Sequence, residues 1–327
     1  MIFIDRIYGV LEAEEPVFEK IVLSKPFQRL YGIQMGCWAP GCPFPKSDTR
    51  YEHSIGVLML LRKYGASIEE QISGLIHDVS HTAFSHLSDR LFGGKNSEQT
   101  SAYQDSIHDN FVKNSELADI ITDAGFDLNQ ILDESRFKLK EKDLPDLCAD
   151  RMDYSLRIIP HFKQYGKLLD VDEKELANLF IPTSDGFIMK DLESARIFAR
   201  AFNQADEEIY SSFAGVFYEA AMKKICSDAI ASGILTRQDF FDLEDMQIVR
   251  KLALAGVDFS LLYADPMDCR AQSDGDFETE YNKVRRIDPR FMDKDGQIFR
   301  LSDIDAEYKK YIQSCPKYVE YKIKRFD

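Results

Sequence analysis

Residues 77–86 read HDVSHTAFSH, and the fold and chemistry of the chain turn on this stretch. It holds His77, His81 and His86, with Asp78 directly after the first. Upstream, RYEHSIGV at 50–57 adds His53. Four of the 6 histidines therefore fall within a 34-residue window, and the other two are His108 and His161. Imidazole is the commonest protein metal ligand and the usual acid–base group near neutral pH.

Working outward, Ile55, Leu58, Met59 and Leu61 predict one face of a helix over 51–64, with His53 early in it. Ser47 and Asp48 are candidate caps for that helix. Ser67 caps the next, where Ile68, Ile72, Leu75 and Ile76 recur at helical spacing. His77 and Asp78 then sit at its end. Adjacent helical residues point about 100° apart, so both grip one ion only where the backbone bends away. Ser80, Thr82 and Ala83 are small enough for such a bend. A further carboxylate must come from elsewhere. Asp150 is the candidate, in DRMDYSLR at 150–157, on an amphipathic helix over 146–159 that Pro160 stops. Asp153 at i+3 and Tyr154 at i+4 share its face. A site of His53, His77, Asp78 and Asp150 mixes imidazole with hard oxygen ligands. That suits Mn, Fe, Ni, Co or Zn, with Mg a poorer match. It leaves positions for water and a phosphate oxygen.

The remaining chain predicts a short strand or hairpin and a helix over 3–24, and a further helix starting at Pro26. A Gly/Pro-rich loop spans 36–45. Helices follow over 100–112 and 116–124, with a short one near 129–134. Residues 179–181 and 186–189 read as a hairpin. A long helical stretch covers 192–232, interrupted near Gly215. Two short helices follow, the first capped by Thr236, and the segment from about Tyr281 is mixed. The fold class is mainly α with small β-hairpin elements and a C-terminal α+β extension. A lobe boundary near Tyr165-Gly166 divides a core over 1–165 from a mostly helical lobe over 166–327 that packs on it.

The 327 residues are 44% hydrophobic and 30% charged, ordinary for a globular protein. Lys plus Arg is 41 against 56 Asp plus Glu, a net charge of −15. That argues against wrapping duplex nucleic acid and against an anionic membrane surface. A locally basic or metal-loaded pocket for a small nucleotide is compatible with it. No apolar run is long enough to cross a bilayer, and MIFIDRIYGVLEAEE lacks the pattern of a signal peptide. The 6 cysteines are too sparse for a disulfide scaffold, so a reducing cytoplasm is expected. Cys37 and Cys42 in CWAPGC lack the second pair that structural zinc requires and read as a plain loop.

The order His53, His77-Asp78, Asp150 resembles the signature of the HD superfamily of metal-dependent phosphohydrolases. RYEHSIGV, HDVSHTAFSH and DRMDYSLR are similar to its deoxynucleoside triphosphate triphosphohydrolase branch. So are IDRIYGVLE and PFQRLYGIQMG near the N-terminus and LTRQDFFDLEDMQIVRKL near residue 240. The resemblance implies an HD-domain helical globule that binds one divalent metal through His53, His77, Asp78 and Asp150. It implies that Arg50 and Arg151 contact substrate phosphates and that His81 is a phosphate-contacting catalytic histidine. His86 would protonate the leaving oxygen, and Asp89 would orient the histidines. Tyr154 would pack on the sugar, and Gln34 would lie near a sugar hydroxyl. The implied reaction attacks the α-phosphorus and releases nucleoside plus triphosphate. Members often form homo-oligomers.

The chain departs from that pattern at three places, of which small residues in HDVSHTAF in place of the usual glycine and proline should be tolerated. The family's His-Glu pair falls on Ser97-Glu98, so the histidine is missing. His108, 11 residues on and close to three helical turns away, is the candidate replacement. The aspartate that grips the sugar is replaced by Ile158. These departures keep other readings open: a phosphatase or phosphodiesterase on another nucleotide, a catalytically weak nucleotide-binding regulator, or a diiron oxygenase using His81 and His108. Plainer roles also exist. Arg50 and Arg151 suit ordinary ion pairs, His81 and His86 suit loop packing, His108 suits a solvated helix position, and Asp153–Arg157 suits a helix pair.

Overall fold

The computed structural model describes residues 1–36, 48–93, 102–164, 171–271 and 277–325. Cys37, Cys42, Ser47, Ser97-Glu98, most of the 36–45 loop and the Tyr165-Gly166 boundary lie outside them, as does the side chain of His161.

The N-terminal hairpin pairs β1 (Ile2–Asp5) with β2 (Gly9–Glu12), and α1 (Pro16–Leu23) and α2 (Lys25–Arg29) follow. The central element is α3 (Arg50–Lys63), in which 10 of 14 residues are buried. Its cap is Thr49, not Ser47 or Asp48. Thr49 and Glu52 form a reciprocal capping box, which satisfies two backbone donors at once. Ile55, Leu58 and Met59 pack toward Phe18, Phe27 and Leu75, while Val57, Leu60 and Leu61 pack toward Met152, Leu156 and Phe198. A helix buried on both sides shows no clean amphipathic stripe, which is why its sequence gave only one face.

Helix α4 (Ile68–Ile76) is capped by Ser67, as expected, and ends at His77. After it come α5 (Leu87–Phe92), α6 (Ala102–Lys113), α7 (Glu116–Asp123), α8 (Leu128–Leu132) and α9 (Ala149–Gln164). Pro160 does not stop α9, which carries it inside and runs on to Gln164. Leu156 and Ile159 are locked in the core on the preceding turn, and that packing outweighs the one backbone bond the proline removes.

The C-terminal half is α+β, so the chain is helix-rich with small sheets and not all-α. Strands β3 (Phe180–Thr183) and β4 (Gly186–Met189) form the expected hairpin. Helix α10 (Leu192–Ala205) passes into a π turn over Asp206–Tyr210, and α11 (Phe213–Ala231) follows. The break thus falls before Gly215. Short helices α12 (Arg237–Asp242), with its Thr236 capping box, and α13 (Asp245–Leu254) come next. Strand β5 (Phe277–Lys283) pairs antiparallel with β8 (Tyr318–Lys324), while β6 (Arg290–Met292) and β7 (Ile298–Arg300) extend the β3–β4 sheet. No described helix is long and apolar enough to cross a membrane.

Helices α3 and α9 carry the separated sequence blocks and meet at Gly56. A Cβ built there would lie 2.0 Å from Asp153 Oδ1 and 2.2 Å from Arg157 Nη2. Only a glycine admits this approach. Gly56→Ala is expected to destabilise the protein by about 3 kcal/mol in urea unfolding, because buried, ion-paired groups must shift. A loss below about 0.5 kcal/mol would mean that α3 and α9 do not fix each other here.

Candidate metal centre

The fold brings His53 from α3, His77 and Asp78 from the end of α4, and Asp150 from α9 to one point. His53 Nε2 lies 3.1 Å from His77 Nε2 and 2.9 Å from Asp150 Oδ1. His77 Nε2 is 3.6 Å from Asp150 Oδ1 and 3.5 Å from Asp78 Oδ1. Asp78 Oδ2 is 3.7 Å from His53 Nε2.

The outer hydrogen bonds fix which ring nitrogens face inward. Buried Asp153 lies 2.7 Å from His53 Nδ1. Burial pushes its carboxyl up, but Arg157 and His53 hold it below the usual range, so it stays an acceptor. The Gly74 carbonyl lies 2.7 Å from His77 Nδ1 and can only accept. Both Nδ1 atoms therefore donate, which turns both Nε2 atoms inward: deprotonated, they present lone pairs to each other, whereas a protonated His53 donates its Nε2–H to Asp150. Two lone pairs and an anionic oxygen this close need a positive charge among them. A shared cation meets that need, and neighbouring ligands of an ion with ~2.1 Å bonds sit about 3 Å apart. Asp153 and Gly74 stand where the outer partners of metal-binding imidazoles would stand.

The carboxylates are held ready. Burial pushes Asp78 and Asp150 up, but Arg50 for Asp78, and His53 and His77 for Asp150, outweigh it and hold both well below the usual range. Burial alone would pull the His53 imidazolium down, yet hydrogen bonds to Asp150 and Asp153 raise it to about 9. In the described residues two groups bring three donor atoms within 4.8 Å of one another: His53, His77 and Asp150, beside which Asp78 stands, and Glu141, Cys148 and Asp150. Burial holds the Cys148 thiol far above its ordinary value and hence protonated, so the latter is the poorer donor set.

The remaining expected residues divide. His81 is buried, with Nε2 3.3 Å from Asp78 Oδ1 and its Nδ1 without a hydrogen-bond partner. Burial first, then the Arg50 charge, holds it well below the ordinary value, so it is neutral. His86 is the more exposed ring, 5.2 Å from His81 between centroids, and Asp89 accepts from its Nδ1 at 3.0 Å. That bond leaves His86 Nε2 open to the cavity. Arg50 reaches the centre but is engaged: Nη1 lies 2.6 Å from Asp78 and Nε donates to Ser85 Oγ at 2.7 Å. Arg151 lines the same cavity, yet its guanidinium donates to the Asp146 carbonyl at 2.6 Å and the Lys142 carbonyl at 3.0 Å. Tyr154 lines it too, 6.5 Å from His53 between centroids. Gln34 is not among the residues that line this cavity: its N–H donates to Asp245 and its carbonyl accepts from Ser85 Oγ, while Met35 and Gly36 form the wall beside it. His108 lines the cavity but spends Nε2 on the Ile76 carbonyl at 3.0 Å, supporting the turn before His77. That bond removes Nε2 from the second ligand set that a diiron site requires.

Asp245 was not singled out by the sequence. It is buried on α13, and its two oxygens accept from Phe84 N–H at 2.6 Å and Gln34 N–H at 2.9 Å. Phe84 and Ser85 have φ of 59° and 51°, a left-handed pair of non-glycine residues between His81 and His86. Such residues cost ~1 kcal/mol or more each and persist only where their surroundings hold them. Burial raises the Asp245 carboxyl to about 7 against its amide donors and Arg29. Nothing in its local sequence marks it, because its partners lie 161 and 211 residues away.

Two outcomes follow for this centre. His53 must lose its proton when an ion binds. Calorimetric titration with Mn at pH 7, in buffers of different ionisation enthalpy, is expected to show about one proton released per ion and affinity that rises toward pH 9. Release that is absent at pH 7 would contradict the shared-charge reading. Asp245→Asn replaces one acceptor with an amide NH₂ facing a backbone N–H. It is expected to cost about 1–3 kcal/mol in urea unfolding, whereas an unchanged midpoint would remove Asp245 from the support of the loop.

Residues 50–158 match the HD domain family, spanning His53 to Asp150. An uncharacterized protein of Bacillus subtilis, YdhJ, is 32% identical over 316 residues, which is 94% of this chain and 93% of the relative. The metal-dependent phosphohydrolase cns2 of Cordyceps militaris is 28% identical over 301 residues, covering 87% and 83%. Among solved structures, a phosphohydrolase from Bacteroides thetaiotaomicron superposes over 100% of both chains with a TM-score of 0.71 at 15% identity. A hypothetical protein from Aquifex aeolicus covers 99% and 95% with a TM-score of 0.66 at 17% identity. These likenesses place the fold, and the matched segment carries the His-Asp centre itself. The chain belongs to the HD superfamily.

Proposed function

We propose that this HD hydrolase is a metal-dependent phosphohydrolase that acts on a nucleotide, cleaving a (deoxy)nucleoside triphosphate to nucleoside and triphosphate. The observation that carries the reading is that His77, Asp78 and Asp150 of the centre, with His53 buried behind them, line a cavity of ≈ 1010 Å³ that Arg50, Arg151 and Tyr154 also line. The volume lies at the upper end for small-molecule sites and suits a nucleotide better than a bare phosphate. A divalent ion held there would acidify a water and neutralise phosphate charge.

The protein's own groups supply the rest. Water attacks the α-phosphorus, and the bond to the nucleoside 5′ oxygen breaks. That oxygen needs a proton, and His86 Nε2, oriented by Asp89, is placed to give it. Neutral His81 offers a hydrogen bond to a phosphate oxygen. Tyr154 supplies a face for the sugar, with Phe202 6.1 Å behind it. Ile158 is buried with Ala205 and Ile209, so that position presents no acceptor to a sugar hydroxyl. This favours tolerance of both sugars. It also supports the second reading, a phosphatase or phosphodiesterase on another nucleotide.

A nucleotide panel with product identification tests the proposal, using purified protein loaded with Mn. Nucleoside plus inorganic triphosphate is the expected pair, and His86→Ala is expected to lower kcat about 100-fold. Orthophosphate as the sole inorganic product favours the second reading. No product from any nucleotide across several metals overturns both.

A further inference from the structure

The cavity has a second wall, built far along the chain. Strand β5 ends in Asn282 and Lys283, Arg285 follows, and all three line the cavity that holds the metal centre. This corner is pinned. β5 runs in register with β8, with Lys283 opposite Tyr318. The Asn282 side chain donates to the Tyr210 carbonyl and accepts from Lys283 N–H at 2.9 Å. The Arg285 N–H donates to Asp206 at 3.3 Å.

The ammonium of Lys283 makes no hydrogen bond or ion pair among the described residues. It is half-buried on a cavity wall that Arg285 and Arg151 also line. Burial and those two charges push it below its ordinary value, while Asp105 and Asp143 pull the other way. The lysine therefore stands beside two further cations on the cavity wall, with no ion pair of its own among the described residues. An anion entering the cavity relieves that repulsion, whereas a neutral ligand does not. The metal centre accounts for one phosphate. A further cation in the same cavity, outside any ion pair among the described residues, suits a substrate that carries more negative charge.

We propose that Lys283, flanked by Arg285 and Arg151, forms a second anion subsite that holds the distal phosphates of a polyphosphate substrate. The proposal rests on the nucleotide reading of the cavity and adds a preference for polyphosphates over monophosphates. Lys283 is here a binding residue that sets specificity, remote from the bond that breaks.

Inorganic tripolyphosphate is the probe, titrated calorimetrically into the Mn-loaded protein. Lys283→Gln is expected to weaken its binding about tenfold, or ~1.4 kcal/mol. Lys283→Arg keeps the charge and is expected to stay within about threefold of wild type. Lys224→Gln, which removes an exposed i,i+4 pair with Asp228 outside this cavity, is expected to bind as wild type. In steady state with a nucleoside triphosphate, Lys283→Gln is expected to raise KM about tenfold and change kcat by less than about threefold. The subsite is overturned if wild type does not bind tripolyphosphate, if Lys283→Gln binds it unchanged, or if the loss falls on kcat with KM unaltered. A wild type inactive on every nucleotide contradicts the hydrolase reading, and the binding arm still decides the subsite.

Discussion

The hydrogen bond between Asp153 and His53 Nδ1 is the constraint on which the centre depends. It fixes one imidazole tautomer and aims Nε2 at His77 and Asp150. Its strength comes from burial and from support behind it. Arg157 lies 2.6 Å from Asp153 and 2.8 Å from Asp5 at the end of the N-terminal hairpin. The chain Asp5–Arg157–Asp153–His53 thus runs from the first strand to the inner ring. Such a buried ionic run is costly if one member is lost, because the others are left unpaired. Gly56 makes it possible by letting α3 and α9 approach until Asp153 reaches His53.

A second support comes from the C-terminal half. Asp245 and Arg29 hold the backbone between His81 and His86, with Arg29 donating to the His81 carbonyl. Ala83 N–H donates to the Phe240 carbonyl at 2.8 Å, and Phe84 packs among Phe217 and Phe240. The catalytic histidines of the proposal are therefore positioned by helices more than 150 residues downstream. The same half contributes Lys283 and Arg285 to the cavity. The C-terminal extension shapes the site as well as packing against it.

Much of this was legible in the sequence for a local reason. His53 and Asp150 stand on helices, and His77-Asp78 at a helix end, that periodicity locates, and their residue types suit metal ligation. Capping by Ser67 and Thr236 is equally local, and both caps form. What escaped was non-local. Asp153 reads as an i,i+4 partner of Arg157, which it is, but its bond to His53 spans 100 residues. Pro160 reads as a stop until the core packing of Leu156 and Ile159 is known. Arg50 and Arg151 have the right type for phosphate contacts, yet only the structure reveals that each guanidinium already has protein partners. Lys283 looks like any strand-end lysine, because the cavity wall it shares with Arg151 forms only in the tertiary structure.

The centre requires a positive charge shared by His53 Nε2, His77 Nε2, Asp78 and Asp150. The most direct measurement is anomalous X-ray scattering from crystals of the Mn-loaded protein. The account predicts a single strong peak bounded by those four side chains, with His53 Nδ1 still facing Asp153. A peak beside Glu141 and Cys148 in its place, or none at full Mn loading, would contradict it.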